Sequence, residues 1–255
     1  MPDCPPGGVF LLDKPPGPTS FWVVRQVRRL LSIKKVGHAG TLDPFASGLL
    51  IVCAGRAATR TIDALMAGEK QYLATLCLGA RSTTGDPEGE ITDRQTVQPF
   101  TEARLETVLN TFRGEYWQTP PVYSALKHQG KPLYAYARQG VVIEKPPRRV
   151  FISSLAPIAL DFLPDGSAKL VLSVRCGKGT YIRKLAEDIG DALGCGAYLT
   201  ALRRTMSGPF SVERAVAADL LRREDGLGYL EAARLGEAEL AVLLQETRLP
   251  ARVTD

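Results

Sequence analysis

The sequence predicts an α+β fold built on a mixed, mainly antiparallel central sheet with flanking helices, and three observations support this. Strand-like runs are separated by long loops and do not alternate with helices in regular βαβ fashion. Three segments carry apolar residues at helical spacing. Past Phe210 the composition turns rich in Ala, Leu and Glu, which predicts a helical tail to about Gln245.

The chain opens on a short strand, Val9 to Leu12, followed by a Pro-Pro-Gly-Pro turn. Thr19 or Ser20 can cap the helix that follows, whose residues Val23, Val24, Val27, Leu30 and Leu31 mark a buried face. Arg25, Arg28 and Arg29 fall on another face, either a solvated surface or a stripe laid along a phosphate backbone. Gly48 to Ala54 is a fully apolar strand, and Tyr72 to Leu78 another, with Tyr72, Ala74, Leu76 and Leu78 on one side. Leu105, Val108, Leu109 and Phe112 give a second helix, closed by Gly114. Strands follow at Val150 to Leu155 and Lys169 to Cys176. A third helix spans about Thr180 to Leu193, with Ile182, Leu185, Ala186, Ile189 and Leu193 inward.

The composition, 45% apolar and 23% charged over 255 residues, allows a sizeable core and argues against wholesale disorder. The longest apolar run, Leu49 to Ala54, is far too short for a membrane span. The N-terminus has neither the charged start nor the apolar stretch of a signal peptide, so a cytoplasmic protein is expected. Five cysteines without a Cys-x-x-Cys pair, and only two histidines, leave few zinc ligands and predict reduced thiols and no metal. The net charge of +5 is uneven. Residues 211–255 hold six basic and nine acidic residues, which leaves 26 against 18, or +8, in the first 210. A basic body with a mildly acidic tail suits a polyanion-binding surface.

Four stretches look specialised. In Gly37-His-Ala-Gly-Thr-Leu-Asp-Pro-Phe-Ala-Ser-Gly48, three glycines permit unusual backbone angles and Pro44 pushes Asp43 out of the helical region. The loop is either a plain Asp-Pro turn or a stiff mount for one carboxylate. Gly177-Lys-Gly-Thr-Tyr-Ile-Arg183 lacks the spacing of a phosphate-gripping P-loop, which excludes that class of NTPase. Arg183 follows the inward Ile182, so it borders the core and calls for a carboxylate partner. Lys70-Gln-Tyr72 enters a strand. Finally, Gln118-Thr-Pro-Pro-Val-Tyr-Ser-Ala-Leu-Lys-His-Gln-Gly130 leads into Lys131, Tyr134, Tyr136 and Arg138. From Lys127 to Arg149, six Lys/Arg face one acid, Glu144. Cations interleaved with tyrosines suit RNA, although each tyrosine alone is equally at home in a core.

Taken together, these segments resemble the TruB family of bacterial tRNA pseudouridine-55 synthases. The motifs are LLDKPPGPTS, GHAGTLDPFASGLL, KQYLATLCLGARSTTGD, PPVYSALKHQGKPLYAYAR and GKGTYIRKLAEDIGDALGCGAYLTALRR, in the family's order across roughly residues 8–210. The resemblance implies the pseudouridine synthase fold, with 1–210 as the catalytic domain and 211–255 as its helical C-terminal extension. It makes Asp43 the nucleophile, Tyr72 the residue stacked on the target base and Arg183 the partner of the aspartate. Leu202 becomes a wall of the pocket, and His38 the histidine that engages the T-loop as the uridine flips out. Lys14, Lys178 and Tyr181, within the same motifs, join the substrate-binding set. Arg25, Arg28, Arg29, Lys127, Lys131, Arg138, Arg148 and Arg149 form the expected RNA-binding surface. Two features depart from the family. Tyr198 stands where many relatives carry histidine, and the chain ends near where many bacterial members begin a β-rich PUA domain, so no such domain is expected.

The implied reaction isomerises uridine: a carbon–nitrogen glycosidic bond is exchanged for a carbon–carbon one, with no net oxidation and no group donor, so no cofactor is expected. The partner is tRNA, through its T-stem-loop, and the protein is expected to be a monomer. The carboxylate can attack either the anomeric carbon or carbon 6 of the base. Tyr72, a phenol with a pKa near 10, is a poor base at neutral pH and better suited to stacking. Two alternatives use the same surface: a tRNA-folding chaperone, and a guide-RNA-dependent subunit of the dyskerin type.

Overall fold

The computed structural model describes residues 7–124 and 126–246. In chain order the elements begin with β1 (Gly8–Lys14), α1 (Ser20–Leu31), β2 (Val36–His38) and β3 (Ser47–Ala54). Two short helices, α2 (Arg56–Thr59) and α3 (Ile62–Leu65), precede β4 (Lys70–Leu78). Next come β5 (Arg81–Ser82), β6 (Ile91–Thr92), α4 (Glu102–Asn110), β7 (Gly114–Gln118), β8 (Lys127–His128), β9 (Lys131–Pro132) and α5 (Leu133–Ala137). Long strands β10 (Arg148–Phe162) and β11 (Ala168–Cys176) lead to α6 (Ile182–Leu193) and β12 (Ala197–Ser207). The chain finishes with β13 (Phe210–Ser211), β14 (Val216–Ala217), α7 (Gly226–Ala232) and α8 (Glu237–Glu246).

The chain forms two compact units, one of Met1–Tyr72 with Leu202–Asp255 and one of Leu73–Ala201. In the first, the strand order is β14-β1-β3-β12. β1 lies antiparallel to β3 and parallel to β14, and β3 is parallel to β12. Both faces of β1 and β3 are covered. Phe10, Leu12, Leu50 and Val52 pack against Val23, Val24, Val27 and Leu31 of α1 and Leu230 of α7. Val9, Leu11, Leu49, Ile51 and Cys53 pack the other way, with Phe210 and Leu235. Double coverage is why Gly48 to Ala54 reads as an unbroken apolar run rather than an alternating one. Each buried Val or Leu of α1 contributes about 1.5–3 kcal/mol before ordering costs. Thr19 caps α1, its side chain accepting from the Trp22 amide at 3.2 Å, as the sequence suggested.

The second unit has the order β12-β4-β11-β10-β7, with β10 antiparallel to both β11 and β7. All five residues predicted to face inward from the third helix are buried. Gly194 closes that helix in the left-handed region. The chain is thus α+β with a mainly antiparallel, mixed pattern of strands, as predicted.

Two local expectations change. The second helix stops at Asn110, and Gly114 instead opens β7 at φ +80°. The tail is not continuously helical: β13, β14 and two 3-10 turns (Val212–Arg214 and Ala218–Arg222) precede α7 and α8. Its short β14 adds to the edge of β1, which exchanges apolar periodicity for backbone pairing and removes the helical signal there. β12, whose strand signal is interrupted by Arg203-Arg204, has no counterpart among the expected strands. No helix among the described residues is long and apolar enough to cross a membrane. Cys53, Cys77, Cys176 and Cys195 are free thiols; burial pushes Cys53 up to about 12.

Candidate active site

The Asp43 loop belongs to the first unit and is tied down on every side. Asp43 is half-buried in irregular backbone between β2 and β3. Its carbonyl accepts from the Ala46 amide at 3.1 Å, closing a turn around Pro44. The Pro44 carbonyl takes two donors, the Gly17 amide at 2.8 Å and Lys14 Nζ at 3.0 Å. One residue before Asp43, the Leu42 backbone forms two hydrogen bonds with Ser20, the first residue of α1. Ser20 Oγ donates to Leu42 O at 2.9 Å and accepts from Leu42 N at 2.8 Å.

Lys14, expected against the substrate, has no solvent exposure at all. Its ammonium donates to the carbonyl oxygens of Pro15, Pro18 and Pro44, so it joins the proline turn to the aspartate loop. A lysine is buried whole only where such acceptors replace its water.

Arg204 braces the loop from beneath. Only 1% exposed, it donates from Nε to Leu49 O at 2.7 Å and from Nη2 to Gly40 O at 3.0 Å, gripping both ends of the loop. Gly48 sits against the Arg204 backbone at φ +103°. A Cβ there would lie 2.3 Å from Arg204 O, so the approach of β3 to β12 excludes any side chain. Neighbouring Arg203 makes a two-pronged ion pair with Asp13, at 3.0 and 2.6 Å. Leu202 is buried, and its carbonyl accepts from Ser47 Oγ at 3.5 Å. His38 ends β2, and its Nδ1 is buried with no hydrogen-bond partner among the described residues. Burial, followed by the positive charge of Arg204, lowers the His38 pKa below the ordinary histidine value, so the ring is neutral at pH 7. Tyr72 is half-buried in β4.

In the second unit Arg183 is 5% exposed, in the first turn of α6. Its Nη1 donates to Thr84 O and its Nη2 to Tyr123 O, each at 2.8 Å, and Nη1 lies 3.4 Å from Asp86 Oδ2. Asp86 is itself 3% exposed. Its Oδ1 accepts from Thr84 Oγ1 at 2.6 Å and from Glu88 N at 3.0 Å. The sequence argument that a guanidinium at this position needs a carboxylate therefore holds within the unit, through a residue it did not name. Tyr181 is held by Gln118, which donates from Nε2 to Tyr181 O at 3.0 Å and accepts from Tyr181 N at 2.8 Å. The Arg148 guanidinium lies 5.1 Å from the centre of the Tyr181 ring and donates to Gly179 O, whereas Lys178 is exposed.

The expected RNA-binding residues divide into exposed and partly engaged groups. Arg25 and Arg28 flank the exposed Phe21 ring at 5.9 and 5.2 Å. Arg28 also donates to Val36 O, and Arg29 to Leu221 O, which spends part of their capacity inside the protein. Lys127 and Lys131 are exposed on the β8–β9 hairpin, whose turn residues Gln129 and Gly130 both have positive φ. Arg138 lies over the Tyr134 ring at 5.6 Å, and Arg149 pairs with Glu115 at 2.8 Å. No cluster of three or more His, Cys, Asp or Glu side chains that could hold a metal occurs among the described residues.

The sequence reading missed Asp86, Arg204 and Gln118. Their signal was burial of polar side chains inside motifs, which spacing alone does not reveal.

Comparison with known proteins gives a consistent result. Residues 28–182 match the model of the TruB family pseudouridylate synthase N-terminal domain, and residues 183–230 that of the tRNA pseudouridylate synthase B C-terminal domain. The tRNA pseudouridine synthase B of Desulfotalea psychrophila is 54% identical over 86% of this chain and 89% of its own. That of Burkholderia lata is 46% identical over 97% and 79%. Among solved structures, a chain in the crystal structure of a Cbf5-Nop10-Gar1 complex is 30% identical with a TM-score of 0.65. This chain spans about three fifths of that one: 94% of it is covered, against 61% of its counterpart.

Proposed function

This chain belongs to the TruB family of pseudouridylate synthases, and from that premise we propose that it converts the T-loop uridine at position 55 of tRNA to pseudouridine, with Asp43 as the nucleophile. Its activity class is that of a tRNA pseudouridine synthase, an isomerase. What carries the finer reading is the mounting of Asp43: Lys14, Gly17 and Ser20 fix the backbone on either side of one carboxylate.

A loop that only turns the chain has no need of a buried ammonium and a buried guanidinium. A carboxylate that must meet a flipped nucleotide in one orientation does, because misplacement by 1 Å can cost about 100-fold in rate. In the proposed reaction the C1′–N1 bond breaks, a C1′–C5 bond forms, the proton on carbon 5 leaves and N1 gains one. Atoms balance without a donor or oxidant. Asp43 supplies the carboxylate beside the glycosidic bond, whether attack falls on the anomeric carbon or on carbon 6. Tyr72 stacks on the base, Leu202 walls the pocket and Arg183 acts on Asp43. His38, neutral, meets the T-loop, with Tyr181 and Lys178 as further substrate contacts. Lys14 acts by holding Pro44 rather than by touching the nucleotide.

Extruding the uridine costs a few kcal/mol, and stacking returns ~1–3 kcal/mol per base. The exposed cations Arg25, Lys127, Lys131 and Arg138 supply the salt-sensitive remainder.

The test is tritium release from tRNA carrying 5-tritiated uridine, without any guide RNA. Wild-type protein should release tritium from position 55, and Asp43→Asn should release none while binding tRNA nearly as well. Normal turnover by that variant would end the assignment of Asp43; product only in the presence of a guide RNA would favour a dyskerin-type subunit instead.

A further inference from the structure

β7 and β10 expose a strip of side chains that the active-site reading does not use. In their antiparallel register Trp117 lies opposite Arg149 and Glu115 opposite Phe151. Opposed residues share a face, so these four form one cluster, while Gln118, Val150 and Ile152 point inward and are buried. Trp117 is 65% exposed and Phe151 50%. Two large aromatic rings left in water beside an edge strand are unusual without an interaction to serve. Three cations lie on the strip or on the neighbouring chain. Arg149 is on the strip itself, and Arg175 is exposed on β11, alternating with buried Val174 and Cys176. Lys178 is exposed just after Gly177, whose amide donates to Phe151 O at 2.8 Å. The acid on the strip itself, Glu115, is paired with Arg149. That exposed pair can open to a phosphate at little cost.

We propose that this strip binds unpaired nucleotides of the tRNA substrate, with Trp117 and Phe151 as stacking surfaces and Arg149, Arg175 and Lys178 facing the flanking phosphates. Cations interleave here with isolated rings, the pattern that suits single-stranded RNA. The proposal rests on tRNA being the substrate, and apart from Lys178, which borders both, it adds a contact surface that the Asp43 site does not require.

Two measurements test it. In Trp22→Phe protein, Trp117 is the sole tryptophan, since the chain has two; saturating unmodified tRNA should quench its fluorescence. Trp117→Ala should weaken tRNA binding by about 5- to 150-fold, the equivalent of ~1–3 kcal/mol for one lost stacking contact, and Trp117→Phe should restore most of it. Unquenched fluorescence, or a Kd for Trp117→Ala within twofold of wild type, would overturn the proposal. A dimer in wild-type protein that Trp117→Ala dissolves, with tRNA affinity unchanged, would assign the strip to a second copy of the chain. Because binding is read without turnover, these outcomes are separate from failure of the isomerase reading, which would show as wild-type protein that makes no pseudouridine.

Discussion

Lys14 Nζ and the carbonyl oxygen of Pro44 lie 3.0 Å apart, although thirty positions separate the two residues. The bond joins the end of β1 to the residue after Asp43, and the lysine that makes it is fully buried. Hydrogen bonds from a charged donor are worth about 1.5–3 kcal/mol, and unpaired buried acceptors cost more than exposed ones. Lys14→Met should therefore lower stability by about 2–3 kcal/mol, read as the midpoint of urea unfolding. It should also slow pseudouridine formation at saturating tRNA. A variant with full stability and full rate would show that the loop needs no such tie.

Asp86 offers a sharper split between rate and binding. It is buried and orients Arg183 through its Oδ2, while its Oδ1 is fixed by Thr84 and Glu88. Asp86→Asn keeps the shape but removes the charge. Single-turnover rate should fall by about 10- to 100-fold, as for a displaced catalytic group, with the Kd for tRNA within about threefold. Equal loss of rate and affinity would place Asp86 in substrate binding instead.

Gly48→Ala should be among the most damaging single-methyl changes in the protein. The new Cβ would meet Arg204 O at 2.3 Å, on a backbone at φ +103° that disfavours any L side chain. Strain of this kind costs of order 1–3 kcal/mol before the clash itself is counted. Denaturant midpoints compared with those of Gly228→Ala, where a Cβ meets nothing within 4 Å, isolate the effect.

His38 makes acid stability testable. Its pKa is lowered in the fold, chiefly by burial and then by Arg204, relative to 6.5 in the unfolded chain. A lowered histidine pKa means that the unfolded state takes up the proton first. The contribution is fully present above pH 6.5 and is lost as pH falls through the folded-state value. His38→Asn should consequently lose less stability than wild type between pH 7.5 and 5. Parallel curves for the two proteins would remove His38 as the group responsible.

The role proposed for the β8–β9 hairpin is in affinity rather than chemistry. Replacing Lys127 and Lys131 together by alanine should weaken tRNA binding and reduce the slope of log affinity against log salt by about 1 per lost phosphate contact. An unchanged slope would mean that the two ammonium groups do not reach the backbone.

Much of the fold was legible because apolar spacing reports burial directly. Val23, Val24, Val27 and Leu31 mark the inner face of α1, and Ile182, Leu185, Ala186, Ile189 and Leu193 that of α6. The loop at Asp43 was legible through Pro44 and its glycines, which restrict backbone angles whatever the surroundings. Polar residues with structural work were not. Arg204 sits beside Arg203 in the sequence and looks equally solvated, yet one is sealed against carbonyls and the other pairs with Asp13 at the surface. Asp86, within Thr-Gly-Asp-Pro, looks like a turn former. Only the approach of Arg183 from a helix about a hundred residues later gives it a second role.

One hydroxyl, that of Ser20, both gives a hydrogen bond to the Leu42 peptide and receives one from it, at the first position of a twelve-residue helix. Helix and loop are thereby welded: neither can slide past the other without stranding two buried polar groups, at about 1–3 kcal/mol for each. In the proposed reaction the main chain beside Asp43 then stays stationary through each catalytic cycle. Any re-aiming of the carboxylate between substrate arrival and product departure falls to rotation about its own Cα–Cβ and Cβ–Cγ bonds.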